Sequence, residues 1–98
     1  MPAQAFLGSK STGHGCFPPT TLVSGCSSNV FINGKPAALV GAQFVAHTCG
    51  RVTHAGGARQ VVSGSGKVFI NGKPAVRIGD PIADGDAVGQ GSGNVFTG

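Results

Sequence analysis

The octapeptide VFINGKPA occurs twice in this chain, at Val30–Ala37 and again at Val68–Ala75, which gives a repeat period of 38 residues. The match extends backwards through VSGCSSN and VSGSGK, and forwards to LVGA and RIGD. A third, truncated unit begins at Val95 in the C-terminal segment GSGNVFTG. Because a unit this small cannot bury its own apolar face, we expect the copies to pack on one another.

Each unit reads as strand, turn and strand. The runs NVFI and KVFI contain the β-branched and aromatic residues that favour strands, and the Asn-Gly dipeptide tolerates the positive φ angles of a type I′ turn. Asn33-Gly34 and Asn71-Gly72 are therefore predicted hairpin tips. Gly or Pro interrupts nearly every stretch of ten residues, so no helix is predicted. The expected fold is all-β: a small repeat fold of short hairpins around a common axis, with pseudo-threefold symmetry.

The composition indicates one folded domain covering residues 1–98. The chain has 18 Gly and 6 Pro, but 40% of its residues are hydrophobic and cluster in short runs, which argues against disorder. Its net charge of +4 comes from scattered residues with no basic cluster, so we expect no nucleic-acid partner. No apolar run is long enough to span a bilayer and the first residues do not resemble a secretory signal, which predicts synthesis in the cytoplasm.

The three cysteines predict little cross-linking. Cys16, Cys26 and Cys49 are odd in number and have no CxxC spacing, so we expect no disulfide framework and at least one thiol that is free or binds a ligand. Cys26 takes the place of Ser65 when the turns SGC and SGS are aligned. That alignment predicts a small turn residue at Cys26.

The segments NGKPAAL and NGKPAVRIGD resemble the PAAR-repeat proteins, which are named for a Pro-Ala-Ala-Arg tetrad. The first copy reads Pro36-Ala37-Ala38-Leu39 and the second reads Pro74-Ala75-Val76-Arg77, so neither tetrad is intact. The segment STGHGCFPPT is similar to a variant found in contractile phage tails. The likeness covers nearly the whole chain.

The resemblance implies a small conical β protein that caps and sharpens the tip of a trimeric β-helical spike, with one chain per trimer. Such proteins belong to contractile phage tails, type VI secretion systems and related injection machines. The chain would be assembled at a phage tail tip or secreted with a type VI spike, would contact the target membrane transiently, and is a candidate carrier of separate effector cargo. A free-standing structural repeat module, with no threefold partner, is the alternative.

Four residues form a candidate metal site: His14, His47, Cys49 and His54. His47 and Cys49 are two residues apart, so on an extended segment they lie on one face, and imidazole and thiolate are both suitable zinc ligands. The spacing alone is a weak signal. The resemblance implies a structural metal near the apex, with zinc expected and iron as an alternative. Asp84, where many relatives carry a Cys-Gly pair, and Cys16 are alternatives to Cys49 as the fourth ligand.

The sequence offers little for catalysis. There is no Glu, Tyr or Trp, and the three acidic residues, Asp80, Asp84 and Asp86, crowd one Gly-rich loop. We therefore expect a protein that is not an enzyme. The alternative is a small zinc-dependent hydrolase, in which the three histidines hold the metal, water takes the fourth position, and Asp84 or Asp86 is the general base.

Overall fold

The computed structural model describes all 98 residues, and the fold is built from three antiparallel β-hairpins. The strands are β1 (Leu22–Ile32), β2 (Lys35–Phe44), β3 (His47–Cys49), β4 (Val52–His54), β5 (Phe69–Ile70) and β6 (Lys73–Pro74). The single helical element is a 3₁₀ turn at Gly56–Ala58. The predicted all-β class is confirmed. No helix in the chain is long and apolar enough to cross a membrane.

Both Asn-Gly dipeptides form hairpin tips, as predicted. Asn33 and Gly34 have φ angles of 52° and 81° and connect β1 to β2. Asn71 and Gly72, with φ angles of 53° and 79°, connect β5 to β6 in the same way. Two consecutive positive φ angles are the mark of a type I′ turn, and Asn and Gly are the residues that adopt them at least cost.

The third repeat unit, which begins at Val95 and is distinct from the β3–β4 hairpin, is completed by the N-terminal residues. The sequence repeat did not predict this pairing. Ala3 pairs with Phe96 just as Pro36 pairs with Phe31 in the first unit. The Thr97 N–H donates to the Pro2 carbonyl at 2.8 Å. The unit that looked truncated from the sequence therefore has a second strand, supplied from the other end of the chain.

A closed ring of backbone hydrogen bonds relates the three units. Ala5 N–H donates to the Val76 carbonyl at 2.9 Å, Val76 to Ala38 at 3.1 Å, and Ala38 to Ala5 at 3.0 Å. All three residues are fully buried. Each lies two residues after the residue that pairs with the phenylalanine of its own unit, so the three positions are equivalent. This cyclic exchange is the predicted pseudo-threefold symmetry.

A second ring is made by one serine from each unit. Each hydroxyl accepts the backbone N–H groups two and three residues ahead, as in the bonds from Lys67 and Val68 to Ser65. Each also donates to the residue at the hairpin-tip position of the next unit: the pairs are Ser27 with Asn71, Ser65 with Gly98, and Ser92 with Asn33. The two hairpin tips and Gly98, which holds the equivalent position in the third unit, therefore lie together at one end of the molecule.

These contacts correct one alignment made from the sequence. Ser27, and not Cys26, is the counterpart of Ser65, because the two serines make the same hydrogen bonds. Cys26 lies within β1, opposite Ala38, and its side chain is half-buried against the main core. It is a strand residue and not the turn residue that we expected.

The core lies along the axis between the hairpin tips and a second set of loops. The molecule measures 38 × 24 × 21 Å, so it is elongated with two similar short dimensions. Strand β2 has ten residues, which span about 33 Å when extended, so the loops that follow Phe44 lie at the end opposite the tips. The main cluster of buried apolar residues is Ala5, Leu22, Ala38, Ala42, Phe44, Val61, Val76, Ile82 and Val88.

Candidate metal centre

Three histidines meet at the end of the molecule opposite the hairpin tips. His14 lies in a tight turn closed by two backbone bonds with Phe17, at 3.1 and 2.9 Å. His47 and His54 are directly opposite each other on β3 and β4. The structure therefore brings together the three histidines that the sequence singled out, although 33 residues separate the first from the second.

Asp84 is the fourth member of the cluster. It occupies a turn in which the Gly85 N–H donates to the Ile82 carbonyl at 3.0 Å, and Gly85 has a φ angle of 98°, which favours glycine. The Asp86 N–H binds Asp84 Oδ1 at 3.2 Å, which turns the other carboxylate oxygen towards the histidines. Asp84 was one of the alternatives that the sequence left open.

The four ligand atoms have the spacing of a small coordination site. His47 Nε2 lies 3.3 Å from His14 Nε2 and 3.0 Å from His54 Nδ1. Asp84 Oδ2 lies 3.5 Å from the His14 nitrogen, 2.8 Å from that of His47 and 2.9 Å from that of His54. Ligands at about 2.0 Å from a tetrahedral zinc ion are about 3.3 Å apart, so these distances fit that ion.

Hydrogen bonding fixes how His47 faces the cluster. Its Nδ1 lies 3.0 Å from the Pro18 carbonyl oxygen, which is only an acceptor, so Nδ1 carries a proton and donates it. In the neutral ring, Nε2 then has a lone pair directed at Asp84 Oδ2, 2.8 Å away. Two acceptors at this distance repel each other unless a cation or a proton lies near both. The Arg59 guanidinium, within 2.8 Å of each, relieves this repulsion in the structure. A metal ion would relieve it as well, and imidazole and carboxylate are both zinc ligands.

The cluster is buried on one side and open on the other. The side chains of His47 and Asp84 are 0% and 4% exposed, whereas those of His14 and His54 are 26% and 25% exposed. The Phe17 ring stacks on His54 with a centroid distance of 3.9 Å. An ion would therefore be held against the protein interior and reach the site past His14 and His54.

Arg59 lies directly behind the cluster and is completely buried. Its Nη1 is 2.6 Å from Asp84 Oδ2 and 2.8 Å from His47 Nε2. Its Nη2 donates to Asp86 Oδ2 at 3.1 Å and to Thr20 Oγ1 at 2.8 Å. The guanidinium group thus connects the two carboxylates of the loop to the histidine that faces them.

Both carboxylates stay ionised in this environment. Burial alone would raise the pKa of Asp84, but the hydrogen bond and charge of Arg59 and the Asp86 N–H outweigh it and hold the pKa well below its usual range. The pKa of Asp86 is also lowered, because hydrogen bonds from Ser11, the Ala87 N–H, Thr12 and Arg59 outweigh its burial. One guanidinium group therefore faces two negatively charged carboxylates, and the remaining negative charge favours the binding of a further cation.

The cysteines are placed differently from our expectation. Cys49 lies outside the histidine cluster and is paired in a disulfide with Cys16, at a Cα–Cα distance of 5.4 Å. A sulfur held in a disulfide is not a thiolate, so Cys49 does not serve as a ligand in this structure. In this structure Asp84 takes the place that we expected for Cys49. We expected no disulfide framework, and the structure has one disulfide, which joins the two cysteines that we considered as ligands. Cys26 remains free, as at least one thiol was expected to.

Sequence reasoning missed Arg59 completely. It lies in the segment GGARQV, which belongs to no repeat and resembles no motif, and one isolated Arg is normally a surface residue. The available signal was the charge balance. Three aspartates within seven residues need cationic partners, and Arg77 binds only the first of them, Asp80.

Comparison with known proteins gives one family. A family model described as PAAR motif matches residues 12–90 of the 98-residue chain, an interval that includes all four members of the candidate metal site. No curated protein matches the sequence significantly.

Proposed function

Because the chain belongs to the PAAR-motif family, we propose that it caps the tip of a trimeric β-helical spike in a contractile injection machine. Family membership supports a spike-tip role. The specific proposal is that one chain binds one spike trimer, sharpens its end and helps it to breach the envelope of a target cell when the sheath contracts. A phage tail and a type VI secretion spike are both suitable assemblies.

Three equivalent phenylalanines carry the proposal. Phe31, Phe69 and Phe96 occupy the same position in the three units, two residues before each hairpin-tip position, and are 56%, 57% and 49% exposed. We call these three residues the phenylalanine ring. An apolar surface repeated three times around an axis suits a partner with true threefold symmetry. The end of a β-helical trimer is such a surface, because its strand edges and apolar side chains need a cover.

The polarity of the molecule agrees with this role. The phenylalanine ring lies at the end with the hairpin tips, and the candidate metal centre lies at the other end, after β2. The base of the cap would therefore contact the spike, while the metal centre would cross-link the loops of the leading end. A leading end made of loops has few apolar contacts and gains most from such a cross-link.

Substitution of the phenylalanine ring tests the docking surface. We expect Phe31→Asp, Phe69→Asp or Phe96→Asp each to weaken binding to the purified cognate spike trimer by about tenfold or more, because each buries a charge in an apolar contact. Val62→Asp is the matched control: Val62 is 54% exposed, and its backbone binds Pro81, outside the ring. Equal effects of the control and the ring variants would refute the surface that we assign.

We further propose that His14, His47, His54 and Asp84 hold a structural zinc ion. Imidazole and carboxylate ligands also suit iron, so elemental analysis of the purified protein is the deciding measurement. With four protein ligands the metal would supply a cross-link and leave no position for substrate. Asp84→Asn should lower the metal content and Cys49→Ser should leave it unchanged. The reverse result would return the fourth position to Cys49.

We propose no catalytic activity for this chain. The family is structural, which fits the expectation from the sequence, and no feature of the structure favours the zinc hydrolase that we considered. Brief contact with the target membrane and carriage of separate effector cargo remain part of the proposal through the family resemblance.

A further inference from the structure

Arg59 already binds two of the atoms that would hold a metal ion. Its Nη1 lies 2.8 Å from His47 Nε2 and 2.6 Å from Asp84 Oδ2, and these are two of the four candidate ligand atoms. The Nε2 atom of His47 has a single lone pair, because the ring proton stays on Nδ1 and forms a hydrogen bond to the Pro18 carbonyl oxygen. This lone pair can accept a hydrogen bond from Arg59 or bind a metal ion, but it cannot do both.

The other contacts of Arg59 do not involve the ligand atoms. Its Nε donates to the Val45 carbonyl at 3.0 Å, and its Nη2 binds Asp86, Thr20 and Ser11. These bonds hold the guanidinium in place when Nη1 gives up His47. Nη1 makes two hydrogen bonds to ligand atoms. The bond to His47 has to break when a metal ion enters, whereas the bond to Asp84 can remain because Oδ2 has a second lone pair.

We propose that Arg59 is a stand-in cation, which neutralises and orders the ligand cluster in the metal-free protein and is partly displaced from it when the metal binds. The inference rests on the proposed metal site. It distinguishes this protein from small metal-binding domains that are unfolded without their ion. The chain would fold first and bind its metal afterwards, with Arg59 opposing the metal by charge and by competition for His47.

The opposing action of Arg59 and metal gives the test a definite sign. We expect Arg59→Met to lower the urea midpoint of the metal-free protein, because two buried carboxylates lose their partner. We also expect the folded variant to bind zinc about tenfold more tightly than the wild type, since no charge-assisted hydrogen bond has to be broken. Zinc should therefore raise the unfolding midpoint more in Arg59→Met than in the wild type.

The experiment compares four proteins by urea unfolding, with a chelator or with zinc chloride, and by chelator competition for zinc. They are the wild type, Arg59→Met, Arg59→Lys and the control Arg77→Met, which breaks an arginine–aspartate pair outside the cluster. The control should bind zinc as the wild type does. Arg59→Lys should bind zinc more tightly than the wild type, because one ammonium group cannot keep all the bonds of the guanidinium.

The possible outcomes separate the proposal from its premise. Equal zinc affinity in the wild type and Arg59→Met would make Arg59 a purely structural residue, and weaker affinity would make it a residue that positions Asp84; either result overturns the stand-in role. A wild type that unfolds in chelator also overturns it. If Arg59→Met does not fold even with zinc, the affinity of Arg59→Lys decides. A wild type that stays folded but binds no zinc removes the metal site itself, while spike binding would remain to be judged by the phenylalanine ring.

Discussion

The closure of the third unit depends on a buried contact between the two ends of the chain. Thr97 Oγ1 donates to Gln4 Oε1 at 2.5 Å, and Gln4 Nε2 donates to the carbonyl oxygens of Ala5 and Ala38. Gln4 is 1% exposed and Thr97 is 6% exposed, so neither group can turn to water in place of its partner. We predict that Gln4→Leu and Thr97→Val are each strongly destabilising alone and much less so together.

The magnitude follows from unpaired buried groups. Each single substitution leaves a buried hydroxyl or amide without its partner, which costs about 1 to 3 kcal/mol in the free energy of unfolding. The double variant removes both partners and puts similar apolar shapes in their place, so we expect a total cost of about 1 kcal/mol. The sum of the two single costs then exceeds the double cost by about 1 to 5 kcal/mol, which is the coupling. With an m value near 1 kcal/mol per M, each single variant lowers the urea midpoint by about 1 M or more.

The assay is equilibrium urea unfolding of all four members of the cycle, with saturating zinc throughout. Thr48→Val is the matched control, because Thr48 is exposed on β3 and its hydroxyl contacts only Thr53. Its effect should stay within about 0.5 kcal/mol. The prediction is refuted if the losses of unfolding free energy in the two single variants simply add in the double variant, or if either single variant is as mild as the control. Either result would mean that the ends of the chain are frayed and that the third unit is open.

The remaining predictions concern local features of the fold. Gly25 and Gly34 have similar φ angles of 80° and 81°, but a Cβ atom at Gly25 would lie 2.6 Å from Ala42 Cα, whereas one at Gly34 would meet nothing. Gly25→Ala should therefore lower the unfolding free energy, measured by urea titration, by about 1 to 3 kcal/mol more than Gly34→Ala. Ser65→Ala removes the acceptor of two N–H groups and should lower the unfolding free energy by about 2 kcal/mol, and Ser27→Ala and Ser92→Ala should lower it by about the same amount. A much smaller effect at one of the three serines would contradict the threefold equivalence. Burial raises the pKa of the Cys26 thiol to about 11 from 9.0, so at pH 8 its alkylation should be about a hundredfold slower than that of an ordinary thiol, and rapid labelling of the folded protein would contradict the placement of Cys26 in β1.

The hairpins could be predicted from the sequence because their determinants are local. An Asn-Gly turn between two β-branched runs needs no tertiary information, and both tips formed as expected. The repeat also predicted the threefold arrangement, since equal units must pack in equivalent ways. The second strand of the third unit was not predictable in this way, because Pro2–Gln4 carries no copy of the NGKPA motif and is recognised only by its pairing with Val95–Thr97.

The site was predictable only as far as residue type allowed. The spacing of the three histidines was a weak signal by itself, and the resemblance to the PAAR-repeat proteins made them a metal-site hypothesis. The structure brings all three together. The fourth member depended on where a strand ends and which way a turn faces, and these are tertiary properties that put Asp84 inside and Cys49 against Cys16. The role of Arg59 could not be predicted from the sequence, because it comes entirely from burial beside two carboxylates.

If a single pseudo-threefold chain caps a threefold spike, the mass of the complex gives its stoichiometry. Native mass spectrometry of the purified protein with its cognate spike would give the number of each chain in the assembly. We expect one copy of this chain on three copies of the spike chain, because the three equivalent units already supply one docking face for each spike subunit. Three copies on one trimer, or no complex with a spike that is itself trimeric, would contradict it.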